Sequence, residues 1–368
     1  MAAGALAAPG PGRAAVAGIQ DDVMTVAPLE QLPERVEMVR RTRARVARVD
    51  VLWSMVAPTR PRRPADARDP AYDWSRADAI VRGLTRAGIT PIVAVYGTPR
   101  WAVARRNRPH STAYNPNAPR PAWFGQFMGA LATRYSGRLR PAAGEPLLPR
   151  VRHFEIWNEP NLKSFLSVNG RSNLSWYKAM VRAAWPRIRH ANRRAEVIAG
   201  AGGPRSSAGG GNVAARAWMN GLLRDRRVRF TAFSQHIYPS RGPLFRSRSY
   251  DRAFPTWQSV PDIIDALDEH RPRMKLYVTE AGYTTARTPF RAVRVSPRAQ
   301  RVYLQQVFRL PAVRSPRVAA VIWFNLQDNR NWPGGLIRAG GARKPSYGAF
   351  RAVAARPIPR LLRTTLRR

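Results

Sequence analysis

Short runs of apolar and β-branched residues alternate along this chain with longer stretches in which apolar positions recur every three or four residues. The short runs lie at 16–19, 46–52, 91–96, 151–157, 196–201, 230–236, 275–279 and 319–325, and each reads as a buried strand. The amphipathic stretches lie at 30–45, 75–87, 121–136, 172–191, 212–224, 257–270, 296–312 and 345–355, and read as helices. Strands that alternate with helices predict parallel βαβ units. Eight such units predict an α/β fold of the single (β/α)8 TIM barrel type.

Boundary residues agree with the periodicity. Asp73-Trp74-Ser75 supplies a polar cap ahead of the Ala79, Ile80, Leu84 stripe, and Gly88 provides a left-handed stop after it. Ser296-Pro297 opens the seventh helix with a cap and a first-turn proline, and Pro345-Ser346 opens the eighth. Helix-to-strand connections are mostly short, whereas the stretches 57–74, 97–120, 161–171, 237–255 and 327–344 that follow strands are long. In a barrel all strand-to-helix loops share one rim, where active sites are built, so the chain's elaboration is expected on a single face. The predicted organisation is a flexible segment over 1–15, which could be the remnant of a signal peptide, one barrel over 16–356, and a basic tail over 357–368.

Composition excludes some chemistry. No cysteine is present, which removes disulfides, thiolate metal sites and cysteine nucleophiles. The five histidines are scattered and suggest no metal-ligand cluster, so neither metal nor cofactor is expected. The formal charge is +41, from 63 basic and 22 acidic residues. Only Lys163, Lys178, Lys275 and Lys344 are lysines, and the arginines are spread along the whole chain. This reads first as a solvated basic surface, and second as attraction to an anionic cell wall or an acidic glycan. Nucleic acid is not an expected partner, since no recognised binding motif accompanies the charge. No run of 18 apolar residues occurs that could cross a membrane. A secreted or envelope location is expected, with the cytoplasm as the alternative.

With so few acidic residues, a glutamate at a strand end is informative. Glu159 follows the apolar run Phe154-Glu155-Ile156-Trp157-Asn158, and Pro160 then stops the ladder. Glu280 ends Leu276-Tyr277-Val278-Thr279, and Gly282 lets the chain turn. Two carboxyl groups on different strands are what glycosidic cleavage needs: one protonates the leaving oxygen, the other attacks or activates water. Taken singly, each could equally be a salt-bridge partner for an arginine.

Trp157-Asn158-Glu159-Pro160, followed downstream by Thr279-Glu280, resembles the clan A glycoside hydrolases, with families 5 and 39 the most similar. The likeness runs from Gly18 to Phe350, and the loop segment Tyr96-Gly97-Thr98-Pro99-Arg100-Trp101-Ala102 is similar to family 39 members. The resemblance implies a retaining hydrolase of a β-linked oligo- or polysaccharide, with the acid/base on strand four and the nucleophile on strand seven. Glu159 and Glu280 fall on those strands by the count above. It further implies that Asn158 holds the sugar 2-hydroxyl, Arg48 supports the nucleophile, Trp323 floors the sugar site and Trp53 forms a wall. His236 and Tyr238 alternate onto one face, where Tyr238 would donate to Glu280 and favour its charged form.

Plainer readings stand beside these. Arg48 could neutralise Glu155, itself read as structural; His236 could be a structural hydrogen-bonding residue; Trp323 and Trp53 could be filler. The chain as a whole could be a non-catalytic carbohydrate-binding barrel of the envelope.

Overall fold

The computed structural model describes residues 15–104, 114–246, 254–288, 291 and 293–356. The anticipated 1–14 part of the N-terminal segment and the 357–368 tail lie outside the described residues.

Eight strands run parallel and close in sequence order: β1 (Val16–Gln20), β2 (Val46–Leu52), β3 (Thr90–Tyr96), β4 (His153–Ile156), β5 (Glu196–Gly202), β6 (Ala232–Ile237), β7 (Lys275–Ala281) and β8 (Val318–Phe324). Closure is made by β1 on β8, with Val16 opposite Ala320 and Gln20 opposite Phe324. The fold is the expected (β/α)8 barrel. Its helices are α1 (Leu32–Arg41), α2 (Trp53–Val56), α3 (Ser75–Arg86), α4 (Pro121–Arg134), α5 (Asn173–Ala191), α6 (Ala215–Leu223), α7 (Val260–His270), α8 (Pro297–Val307) and α9 (Pro345–Ala354). The single turn α2 had no periodicity by which to be read, since four residues do not repeat a 3.6-residue pattern.

Strand faces divide between two cores. Val16, Val46, Ile92, Ile198, Tyr277 and Ile322 fill the barrel interior. The opposite faces, including Val49, Val93, Phe154, Val278 and Val321, join the larger core under the helices. Strands buried on both faces become near-continuous apolar runs. The interior is tight: a Cβ on Gly18 would come within 2.3 Å of Ile322 Cδ1. Helix starts follow the sequence signals. The Ser296 side chain accepts from the Ala299 N–H at 3.1 Å, and Asp73 Oδ1 accepts from the Ser75 N–H at 2.9 Å.

Two expectations are corrected, the first by this parity and the second by the turn into α2. Trp323 points into the helix-side core, where its ring lies 6.3 Å from that of Tyr283, which in turn lies 5.0 Å from Tyr303 of α8. The next residue, Phe324, has its ring 6.4 Å from that of Tyr238 and 5.7 Å from that of Trp332. Trp53 is fully buried against α4, 5.2 Å from Phe127 and 5.9 Å from Phe124, so it is packing and no wall of an open cleft.

Candidate active site

β4 delivers its last residues to the barrel mouth by leaving ordinary strand geometry. Trp157 has φ 68° and Glu159 φ 40°, both in the left-handed region. Each such residue costs on the order of 1–3 kcal/mol and persists only where its surroundings fix it. The first turn sends the Trp157 indole back into the core, donating to Phe165 O at 2.8 Å. Asn158 and Glu159 are thereby presented at the mouth. Gly203, just after β5, makes room for the acid: a Cβ there would lie 3.0 Å from the Glu159 carboxyl carbon and 2.6 Å from Leu162 Cδ1.

Glu280, one residue before the end of β7, meets Glu159 across the mouth. One oxygen from each carboxylate and a ring nitrogen of His236 all lie within 4.8 Å of one another. His236 Nδ1 sits 2.9 Å from Glu159 Oε1 and 3.4 Å from Glu280 Oε2. Tyr238 donates to Glu280 Oε2 at 2.8 Å. A register shift between Ser234 and His236 on the β6–β7 ladder sets the two β6 side chains against Glu280. Nearest oxygens within 4.8 Å agree with the close approach, ~5–5.5 Å between carboxyls, that direct attack on a sugar held between them requires.

Arg48, rising from β2, orders this cluster. Its Nη1 donates to Glu280 Oε1 at 2.7 Å and to Gln20 Oε1 at 2.7 Å. Its Nε donates to Glu155 Oε2 at 2.6 Å and its Nη2 to Asn158 Oδ1 at 2.8 Å. The two roles weighed for Arg48 are therefore both occupied, because a guanidinium has five donors in a fixed fork. Holding the Asn158 oxygen leaves that amide's N–H groups as its remaining donors. Asp50, two residues on, takes Arg48 at 3.2 Å, Gln20 at 3.1 Å and Tyr96 at 2.9 Å.

The electrostatics follow from burial. Burial opposes charge on His236, yet the Glu280 and Glu159 carboxylates outweigh it and raise its pKa. Burial likewise raises Glu280 against the pull of His236 and Arg48, and Glu159 and Asp50 raise it further. His236 and Arg48 thus offset the burial only in part. Burial also works to raise Glu155, but Arg48 and His236 prevail and hold it low. Glu159, His236 and Glu280 are also the three-residue group among the described residues whose atoms approach metal-binding distances. Arg48 already places a cation on Glu280, so a metal ion there would meet like charge.

Sequence reasoning overlooked several residues at the mouth. Gln20 and Asp50 bind Arg48; Tyr96 binds Asp50; Phe324 and Trp332 form the aromatic side, with Trp332 4.6 Å from Tyr238. Asp22, in the turn after β1, accepts from Asn329 Nδ2 at 2.9 Å. The run Gln20-Asp21-Asp22 at the end of β1 was the one signal that could have flagged this corner.

Residues 49–354 match the family described as Glycosyl hydrolases family 39. Among solved structures, a family 39 glycoside hydrolase from the gut symbiont Bacteroides cellulosilyticus WH2 is 18% identical with TM-score 0.63, over 93% of this chain and 64% of that one. A monomeric β-xylosidase from Caulobacter crescentus CB15 is 20% identical with TM-score 0.62, over 93% and 70%. A family 5 structure from Streptomyces cattleya, in complex with GlcNAc, is 15% identical with TM-score 0.65, over 95% and 83%. At these identities the likeness speaks to the fold. No curated protein matches the chain.

Proposed function

The chain belongs to glycosyl hydrolases family 39, and from that premise we propose that it cleaves O-glycosidic bonds of a β-linked oligo- or polysaccharide with retention of anomeric configuration. The observation that carries this is the convergence of Glu159 and Glu280, buried, with one oxygen of each within 4.8 Å. Family members are retaining glycosidases, and the spacing suits that chemistry.

Each residue has a task. A Glu280 oxygen attacks the anomeric carbon as the bond to the leaving oxygen breaks, and Glu159 passes its proton to that oxygen. Water then attacks the anomeric carbon of the glycosyl-enzyme, gives a proton back to Glu159, and frees Glu280. One water is consumed and both carboxyls return to their starting states. Arg48 and Tyr238 hold Glu280 in place and stabilise its charged form. His236 Nδ1 lies 2.9 Å from Glu159 Oε1 and positions that carboxyl. Asn158, oriented by Arg48, offers its N–H groups to the sugar 2-hydroxyl, where contacts that strengthen in the transition state contribute several kcal/mol. Phe324 and Trp332 supply the apolar surface for the sugar ring.

The excess of basic over acidic residues supports association with an anionic wall or acidic polymer, and this proposal places the enzyme at the envelope or outside the cell. The test is hydrolysis of defined aryl β-glycosides and oligosaccharides, starting with xylosides and glucosides because neighbouring structures are named as a β-xylosidase and a glucosidase. Product anomers are followed by NMR. Initial release of the β-anomer supports the proposal. Release of the α-anomer, or wild-type rates from Glu280→Gln, refutes it.

A further inference from the structure

The surface of this protein is basic, but its catalytic mouth is not. Asp22, Asp50, Glu155, Glu159 and Glu280 gather there, and the cations set among them are Arg48 and His236. Arg48 is committed to Glu155, Glu280, Asp50, Gln20 and Asn158. His236 is shared between Glu159 and Glu280. Arg48 is fully buried, and the remaining His236 nitrogen, Nε2, is buried as well, so neither is open to an acidic ligand.

Asp22 differs from the other carboxylates. It accepts from an amide, Asn329 Nδ2, reaching from the loop after β8 at 2.9 Å. The adjacent Asp21 is spent on Arg35, at 2.6 Å. The groups that act on Asp22 are burial, then Asp50 from β2, Glu280 from β7 and Asp21 beside it. Tyr96 of β3 and Tyr114 of the following loop also feel its charge. Asp22 is half-buried, and Asn329 holds one of its two oxygens.

We propose that the subsite holding the sugar whose bond is cut accepts uncharged glycosyl residues and refuses glycuronates, with Asp22, braced by Asn329, as the residue that sets this preference. The inference rests on the glycosidase reading above and names its substrate class. A carboxylate accepts hydrogen bonds from sugar hydroxyls, and it repels a sugar carboxylate in a mouth where Arg48 is already taken. The basic exterior then gathers acidic polymers without the pocket admitting an acidic sugar. On the Trp332 side, Arg291 holds its guanidinium 5.9 Å from that ring and donates to Pro239 O. It is the group that would favour a glycuronate, so substrate preference decides between it and Asp22.

The experiment compares kcat/KM for p-nitrophenyl β-xyloside, β-glucoside and β-glucuronide in wild type and Asp22→Asn. Wild type favours the neutral glycosides over the glucuronide. Asp22→Asn narrows that ratio by on the order of 10- to 100-fold, the range expected when one charge pair at contact distance is removed in a partly screened site. In wild type the ratio also falls as pH drops below about 7, where burial and its acidic neighbours place the Asp22 pKa. His236 and Glu280 face the same sugar and also change charge with pH, so the wild-type pH series is compared with that of Asp22→Asn, in which the part due to Asp22 is absent. Should Asp22→Asn fold poorly, Asp22→Ser is read in its place by the same ratio. Equal turnover of glucuronide and glucoside, or a ratio unmoved by both Asp22→Asn and pH, overturns the proposal. If no glycoside is turned over, the catalytic reading falls. Thermal-shift titration with xylose, glucose and glucuronate then reads the preference by binding: stabilisation by the neutral sugars alone supports it, and equal stabilisation by glucuronate overturns it.

Discussion

Tyr238→Phe isolates one interaction at the nucleophile. The hydroxyl donates to Glu280 Oε2 at 2.8 Å, and both groups are buried. Phenylalanine keeps the ring, and with it the edge contacts to Trp332 at 4.6 Å and Phe324 at 6.4 Å. What is lost is one hydrogen bond to a charged group, worth roughly 1.5–3 kcal/mol. If all of it is felt in the transition state for glycosyl-enzyme formation, kcat/KM falls by about 10- to 150-fold, since each ~1.4 kcal/mol is tenfold. The sign of the pH effect is also fixed. Burial has already raised the Glu280 pKa, and a donor to the ionised form opposes that rise. Without the donor, the acidic limb of the kcat/KM profile moves to higher pH. Aryl glycosides with good leaving groups serve as substrates, because their cleavage depends little on protonation by Glu159. A variant with kcat/KM within twofold of wild type and an unmoved acidic limb would refute the claim that Tyr238 supports the nucleophile.

Three further outcomes follow from the geometry. Gly203→Ala places a Cβ 3.0 Å from the Glu159 carboxyl carbon, so activity should drop at least tenfold with substrates that need protonation and much less with dinitrophenyl glycosides; equal losses on both would be contrary. Phe324→Ala should raise KM or lower kcat for glycosides, whereas Trp323→Phe should cost about 1–3 kcal/mol of stability in denaturant melts while sparing KM; the reverse pattern would restore Trp323 as the sugar platform. Asp22 has its pKa raised from 3.8 to about 7, so its contribution is favourable to folding only when protonated: no cost exists below 3.8, stability is lost as pH climbs from there to about 7, and the loss is constant above. Asp22→Asn should therefore stabilise the protein by about 2 kcal/mol at pH 8, after discounting for partial exposure, and by nearly nothing at pH 4 in urea melts; an equal gain at both would argue that Asp22 ionises normally.

The barrel was legible because eight buried strands alternate with eight amphipathic helices, and because long connections fall consistently after strands. Glu159 and Glu280 were legible because a carboxylate is rare in this chain and both end apolar runs. The limits have equally physical causes. Strand β8, Val318–Phe324, is apolar on both faces, so its pattern could not tell which of Trp323 and Phe324 faces the mouth. Trp53 looked like a wall because it ends β2, but the chain turns at once into α2 and carries the indole to α4. Arg48 was read as choosing between Glu155 and Glu280, and its forked donors take both. Asp22 and Asn329 stand 307 positions apart and meet only because β1 closes against β8. His236 seemed isolated for the same reason: its partners, Glu159 and Glu280, come from other strands.

The central claim is that Glu280 forms a covalent bond to the sugar. Incubation with dinitrophenyl 2-deoxy-2-fluoro-β-glycosides of the xylo and gluco series, followed by peptide mass spectrometry, tests it directly. The account predicts one stoichiometric fluoroglycosyl adduct on Glu280, abolished by Glu280→Gln. An adduct on Glu159 or another residue, or turnover of the natural substrate by a protein that never forms an adduct, would contradict it.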